Sequence, residues 1–241
     1  ELIKGIAIQS GNDAAIAVAE SMAGNEANFA KLMTQEARRI GMVKSSFANA
    51  TGMPNSNHLM TARELAMLAR HLTTEHTEYY GVFGEKQFLY RKHKFYNRNP
   101  LLFLGIGADG LMTGQGKEDG FGLVGSAVQD GKRLILVVSG LANAGERKTE
   151  AQKMLDWGFK SFSKIKVFDA GEIVGKARVW GGESMYVGLA GDGDITMSLP
   201  KYPANQRLSA EIIYRAPLKP PVKKGDRVAT LRIQSTSSAS A

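Results

Sequence analysis

Two almost uninterrupted apolar runs, Phe121 to Val128 and Arg133 to Val138, flank an Asp130-Gly131 pair. Asp-Gly suits the two-residue turn of a β-hairpin, because both central positions of that turn need positive φ. A strand with one wet face alternates apolar and polar residues, and these runs do not alternate. They therefore predict a hairpin set centrally in a sheet that is covered on both faces. The flanking sequence carries helical patterns. Ala15, Val18, Ala19 and Met22 recur at helical spacing within 13–23, and Phe29, Leu32, Met33, Ala37 and Ile40 do so within 26–40, with Gly41 placed to end that helix. Thr61-Ala62-Arg63-Glu64 has the spacing of a capping box, in which hydroxyl and carboxylate each cover a free amide. Leu65, Leu68, Ala69 and Leu72 continue it as an apolar stripe, and a last stripe runs through Ala151, Met154, Leu155, Gly158, Phe159 and Phe162. Residues 73–105 mix aromatic residues, glycine and positive charge with no clear period.

The texture changes near residue 163. Short runs alternate with Gly, Pro and Asp: Ile173 to Trp180, Met185 to Leu189, Ile195 to Leu199, Leu208 to Tyr214 and Val228 to Ile233. Regular short strands of this kind predict a small all-β domain over 164–241 behind an α+β domain over 1–163. The Ser/Ala-rich end, Gln234 to Ala241, reads as a mobile loop or tail. With 241 residues, 43% of them hydrophobic, the chain can build a substantial core, which excludes whole-chain disorder. No apolar run approaches the length of a membrane span. The absence of cysteine excludes disulfides, thiolate nucleophiles and Cys-bound metal. A net charge of +8 suits an anionic polymer, lipid or nucleic acid, but no nucleic-acid-reading motif accompanies it, so no nucleic-acid partner is expected. Arg91-Lys92-His93-Lys94 and Lys223-Lys224 are the local concentrations, and solvated loops are their plain explanation.

Gly105-Ile106-Gly107-Ala108-Asp109-Gly110 spells a dinucleotide fingerprint, yet Thr113, Gly114 and Gly116 lead into a strand, so no helix N-terminus is available for a pyrophosphate. His58, His71, His76 and His93 lack zinc spacing. Neither a metal nor a cofactor is expected. Two short motifs remain. Ser10-Gly11-Asn12 opens a helix, and Asp109-Gly110-Leu111-Met112-Thr113-Gly114 opens a strand. Acyl transfer to a serine requires an activated hydroxyl, an oxyanion-binding donor pair, a proton for the leaving amine and a grip on the substrate's peptide and carboxylate. A Ser-x-Asn turn can present a hydroxyl for the proton relay and an amide for a substrate carbonyl. It is also an ordinary helix cap, except that a cap has no need of Gly11, whereas close backbone approach does.

The two motifs, in this order, resemble the Ser-x-Asn and Lys-Thr-Gly signatures of penicillin-recognising serine enzymes. The likeness extends through Leu2 to Ala14, Phe47-Ala48-Asn49, Gly52-Met53-Pro54, Thr61 to Ala66, Asn97-Arg98-Asn99 and Asp156-Trp157-Gly158-Phe159. Over residues 1–163 the chain resembles the D-alanyl-D-alanine carboxypeptidases, the low-molecular-weight penicillin-binding proteins, and 164–233 resembles their β-rich second domain. The resemblance implies a partial penicillin-binding or β-lactamase-like domain, an antiparallel sheet covered by helices, followed by a small all-β domain. It assigns Ser10 and Asn12 the catalytic Ser-x-Asn roles. It places Met112, Thr113, Gly114 and Gln115 on the substrate-binding strand and sets Arg147 near the substrate carboxylate. The expected partners are the peptidoglycan stem peptide and β-lactam antibiotics, and the expected compartment is the bacterial periplasm or cell envelope.

Three departures from the family pattern shape the expectations. The nucleophilic Ser-x-x-Lys segment should precede Glu1 and is not in this sequence. The matches at Ser161-Phe162-Ser163-Lys164, Ser163-Lys164-Ile165-Lys166 and Ser198-Leu199-Pro200-Lys201 come after the other motifs and are set aside. The 241 residues alone are therefore expected to be inactive. Met112 replaces the lysine, and a thioether carries no charge and donates no hydrogen bond. Gln115 stands where many relatives have histidine. A C-terminal segment beyond this sequence, which relatives use for association with the membrane surface, is also expected. The alternative is a catalytically silent homologue that binds cell-wall peptide without turning it over.

Overall fold

The computed structural model describes residues 1–202 and 207–236. They fall into two compact units, Glu1 to Gly158 and Phe159 onward. The first contains α1 (Leu2–Gln9), α2 (Asn12–Ala23), α3 (Glu26–Arg39), α4 (Ala62–Glu75) and a single turn, α5 (Thr77–Tyr80). A small hairpin, β1 (Gln87–Tyr90) and β2 (His93–Tyr96), follows, and then β3 (Ala108–Gly116), β4 (Gly120–Gln129), β5 (Lys132–Leu141) and α6 (Ala144–Ser161).

β3, β4 and β5 form an antiparallel sheet with β4 in the middle, as the apolar runs predict. Asp130 and Gly131 turn the hairpin with φ of 49° and 70°. Both faces of β4 are covered. On one, Ala69 and Leu72 of α4 meet Tyr80, Leu111, Val124 and Ile135. On the other, Leu101 and Leu136 crowd Gly125, and Gly158 brings α6 against Leu134. Burying a Leu-sized side chain such as Leu101 or Leu123 contributes about 1.5–3 kcal/mol.

A polar cluster ties the start of β3 across the sheet. Arg133 on β5 pairs with Asp109 at 2.8 Å and donates to Ser126 of β4 at 2.5 Å. The Tyr80 hydroxyl donates to Asp109 at 3.3 Å, and the Arg133 guanidinium lies 5.3 Å from the Tyr80 ring centroid. Burial pushes the Tyr80 phenol up to about 12, so it remains a donor at any ordinary pH.

Thr61 caps α4 by accepting from the Glu64 amide at 3.2 Å. The rest of the expected capping box is corrected by the structure. The Glu64 carboxylate turns inward, accepting from the Lys44 amide at 2.8 Å and from the Ser45 hydroxyl. It thereby ties the 42–61 segment to α4. Desolvation raises its pKa, but the bonds from Ser45 and Lys44 outweigh that and hold it below the ordinary carboxylate value. A depressed carboxyl contributes stability above its unfolded pKa and loses it as pH falls through the folded one. Glu64→Gln should therefore lower the melting temperature at pH 7 and flatten the loss of stability between pH 5 and pH 3. Parallel acid profiles for variant and parent would refute this.

Several elements carry no predicted counterpart, among them α1, α5, the β1–β2 hairpin and the strand that begins at Phe162. α1 is short and apolar nearly all round, so it has no period to read. It packs on α2 through Gly5 and Gly11, where Gly11 N–H donates to the Gly5 carbonyl at 3.0 Å. The β1–β2 hairpin turns on Arg91-Lys92, which is not a recognised turn pair. The stripe assigned to the last helix also ends early: α6 stops at Ser161, and Phe162 begins a strand.

The second unit is all-β, as expected: β6 (Phe162–Phe168) pairs with β9 (Ile195–Pro200), β7 (Ile173–Arg178) with β8 (Tyr186–Ala190), and β10 (Arg207–Ile213) with β11 (Thr230–Thr236), all antiparallel. Ala177, Val179, Leu189 and Leu218 form its core. Of the expected tail, Gln234 to Thr236 belong to β11, and 237–241 lie outside the described residues.

Candidate active site

The Ser10–Asn12 turn joins α1 to α2. Ser10 does not cap α2. It lies in the left-handed region at φ 57°, ψ 44°, its amide bonded to Ile6, while Gly11 holds the cap position with no side-chain capping bond. A Cβ on Gly11 would lie 3.3 Å from the Gly5 carbonyl oxygen, which is the close approach that Gly11 suggested. Ser10 is half-buried and Asn12 exposed. Among the described residues neither side chain enters an internal hydrogen bond, so both remain available to a ligand.

Met112, Thr113, Gly114 and Gln115 lie on β3, paired with Val124, Leu123, Gly122 and Phe121 of β4. Among the described residues β3 has no second strand partner, so its outer edge can accept an extended peptide by strand addition. Met112 and Thr113 are half-buried, Gly114 and Gln115 exposed.

Arg147, in the first turn of α6, is 9% exposed. Asn143 starts that helix by accepting from the Glu146 amide at 2.9 Å. The Arg147 guanidinium lies 5.6 Å from the Phe121 ring centroid and reaches the Gly114 carbonyl at 3.5 Å. Its Nε is buried with no hydrogen-bond partner, and burial lowers its pKa from the ordinary arginine value. A buried guanidinium with an unpaired donor is costly alone and well disposed toward a carboxylate. The structure thus brings Arg147 to Gly114.

α1 runs beside β3, so the Ser10 turn and the Thr113 strand belong to neighbouring elements of one unit. Among the described residues no hydrogen bond joins them. The Arg98 amide donates to the Ile8 carbonyl at 3.3 Å, which sets an exposed cation beside the Ser10 end of α1. Sequence reasoning gave Arg98 no role. Its signal was the flanking asparagines: Asn97 accepts from the Asn99 amide, and Asn99 from the Leu101 amide, fixing the backbone there. A shallow groove between α3 and the 47–57 segment, lined by Ala30, Lys31, Thr34, Phe47 and Asn57, contains none of these residues. The three Ser-x-x-Lys runs begin at the end of α6 and on β6 and β9, where Lys164 pairs with Ser198. Among the described residues no acidic or histidine cluster could hold a metal.

A helix-covered antiparallel sheet followed by an all-β unit is the architecture of the low-molecular-weight penicillin-binding proteins. The chain belongs to the D-alanyl-D-alanine carboxypeptidase family, which residues 1–143 match, and residues 162–240 match the C-terminal domain of penicillin-binding protein 5. It is 34% identical over 203 residues to D-alanyl-D-alanine carboxypeptidase DacA of Haemophilus influenzae, covering 83% of this chain and 52% of that one. It is 33% identical over 235 residues to DacC of Escherichia coli, covering 97% and 59%. The structure of penicillin-binding protein 5 from Haemophilus influenzae superposes with a TM-score of 0.82 at 31% identity, covering 98% of this chain and 70% of the other. Penicillin-binding protein D2 from Listeria monocytogenes in its cefotaxime-bound form superposes with a TM-score of 0.61 at 30% identity, over 66% and 65%. The chain thus spans a little over half the length of the curated relatives it matches.

Proposed function

We propose that these residues form most of the site of a serine-type D-alanyl-D-alanine carboxypeptidase acting on peptidoglycan pentapeptide in the bacterial envelope, and that β-lactams acylate the same site. The observation that carries this is the buried Arg147, whose Nη1 reaches the Gly114 carbonyl on an open strand edge while its Nε is unpaired. A peptide added to that edge presents its terminal carboxylate to a guanidinium. The hydroxyl of the family's Ser-x-x-Lys segment attacks the penultimate D-alanine carbonyl. The C–N bond breaks, Ser10 relays a proton to the departing D-alanine amine, and water hydrolyses the ester. Asn12 donates to a substrate carbonyl, Thr113 and Gly114 pair with the peptide, and Gln115 donates at the end of the strand. Membrane-surface association belongs to the same proposal; among the described residues no helix is long and apolar enough to cross a membrane. A silent wall-peptide-binding homologue is the second reading, and Met112 is the observation that favours it.

The 241-residue chain alone should form no covalent adduct with a fluorescent penicillin, and a labelled band would place a nucleophile within it. With the family's Ser-x-x-Lys segment joined ahead of Glu1, the adduct should form. Ser10→Ala should then slow acylation and deacylation by about tenfold to a hundredfold, and unchanged rates would remove Ser10 from the proton path.

A further inference from the structure

The β1–β2 hairpin stands apart from everything the peptide cleft requires. From Lys86 to Arg98 the chain carries Lys86, Arg91, Lys92, Lys94 and Arg98 and no acidic residue, with Phe88, Tyr90, Phe95 and Tyr96 interleaved. The preceding acid, Glu85, is held by Lys4 at 2.7 Å. Phe88 and Phe95 stack across the strands with centroids 5.3 Å apart, which keeps the two strands together. Around that pair the surface is open: Leu89 is 71% and Tyr96 57% exposed. Arg91 lies 5.3 Å from the Tyr90 centroid and Lys94 5.7 Å from that of Tyr96. The cations thus flank the rings, and their outer sides face water. The turn itself is telling. Arg91 and Lys92 occupy left-handed conformations at φ 45° and 66°, positions that favour Asn-Gly. Two long cations at that tip oppose the turn's own preference, and among the described residues the one contact that engages them is Arg91 on Tyr90.

Resting on the proposed function, we infer that this hairpin binds the glycan backbone of the polymer whose stem peptides enter the cleft, at muramyl units that carry no stem peptide and so have a free lactyl carboxylate. Aromatic sides suit the apolar faces of sugar rings, and the cations suit the carboxylates. The placement supports that occupant over others. The Arg98 amide, two residues past β2, is bonded to Ile8, two residues before Ser10, and α1 borders both hairpin strands and β3. The hairpin is therefore continuous with the cleft, where a glycan carrying the bound peptide must pass.

The test uses the 241-residue chain and three insoluble probes: intact peptidoglycan sacculi, sacculi stripped of stem peptides by an amidase so that each muramyl lactyl carboxylate is free, and neutral chitin. The chain should co-sediment with the first two, in a salt-sensitive manner, and about tenfold more weakly with chitin. Arg91→Asn with Lys92→Gly gives the turn its preferred residues while removing its charge; with Lys94→Gln added, binding to stripped sacculi should fall about tenfold. The aromatic part of the site is tested by Tyr96→Ala. Stripped sacculi offer the cleft no stem peptide, so their binding reports on the hairpin alone, while penicillin acylation of the chain extended by the Ser-x-x-Lys segment reports on the cleft, and failure of the cleft proposal and failure of this one are distinguishable. Equal binding of stripped sacculi by parent and triple variant would overturn the inference. So would hairpin-dependent binding to phosphatidylglycerol vesicles or single-stranded RNA without binding to stripped sacculi.

Discussion

With the family's Ser-x-x-Lys segment joined ahead of Glu1, Met112→Lys should raise the rate of acylation by a fluorescent penicillin about a hundredfold. The family places a lysine at this point of the substrate strand, where its charge supports both the nucleophile and the substrate carboxylate. A thioether supplies neither charge nor donor. One charge-assisted contact in a closed site is worth about 2–4 kcal/mol of transition-state stabilisation, which sets the size of the effect. Met112 is half-buried opposite Val124, one residue from Thr113 on the strand with the open edge. Lysine has a similar unbranched stem and can bring its ammonium to water or substrate at the rim. The same measurement separates the two functional readings. If the extended parent binds wall peptide but turns over none, and Met112→Lys restores turnover, the chain is the silent homologue. If parent and variant acylate equally, another cation serves the site, and the loss at Met112 carries no functional meaning. Arg98, exposed beside the Ser10 end of α1, is then the residue to change next.

What the sequence makes legible here follows from how locally each signal is written. The central hairpin is visible because apolar runs and Asp130-Gly131 carry their meaning within a dozen residues. The same holds for five of the strands of the β unit, read as short runs alternating with Gly, Pro and Asp, whereas β6 is hidden because Phe162 continues the apolar stripe of the helix before it. Thr61 shows itself as a cap, but its partner's carboxylate answers to Lys44 and Ser45, twenty residues upstream, and no local pattern can report that. α1 is hidden because a helix apolar on most sides has no period. The β1–β2 hairpin is hidden because its turn uses cations where glycine and asparagine are the recognised signal. Among the site residues, the Ser10-Gly11-Asn12 turn and the Met112–Gln115 strand follow from spacing and resemblance. The proximity of Arg147 to Gly114 depends on how α6 returns across the sheet, which only the fold supplies. The glycines of the apparent dinucleotide fingerprint have a structural purpose: they shape the entry into β3.

Gly107→Ala should destabilise the chain by about 3 kcal/mol or more, roughly a hundredfold in the folded-to-unfolded ratio. Gly107 has φ 77°, a conformation that disfavours any side chain, and a Cβ there would lie 2.1 Å from the Val128 carbonyl oxygen. The segment cannot simply withdraw, because the Val128 amide donates to the Gly107 carbonyl at 2.8 Å and a shift breaks that bond. Gly105 provides the internal control. Its φ is 68°, but nothing lies within 4 Å of its would-be Cβ, so Gly105→Ala carries only the conformational cost of about 1 kcal/mol. Urea unfolding midpoints of the two variants measure the difference, and equal midpoints would mean that the close approach at Val128 is absent. The consequence for the site follows from connectivity. Asp109, two residues after Gly107, anchors β3 to Arg133 of β5. Displacing that anchor moves the strand whose edge carries Met112 to Gln115. In the extended chain, Gly107→Ala should therefore slow penicillin acylation even at temperatures where the variant remains folded, whereas Gly105→Ala should not.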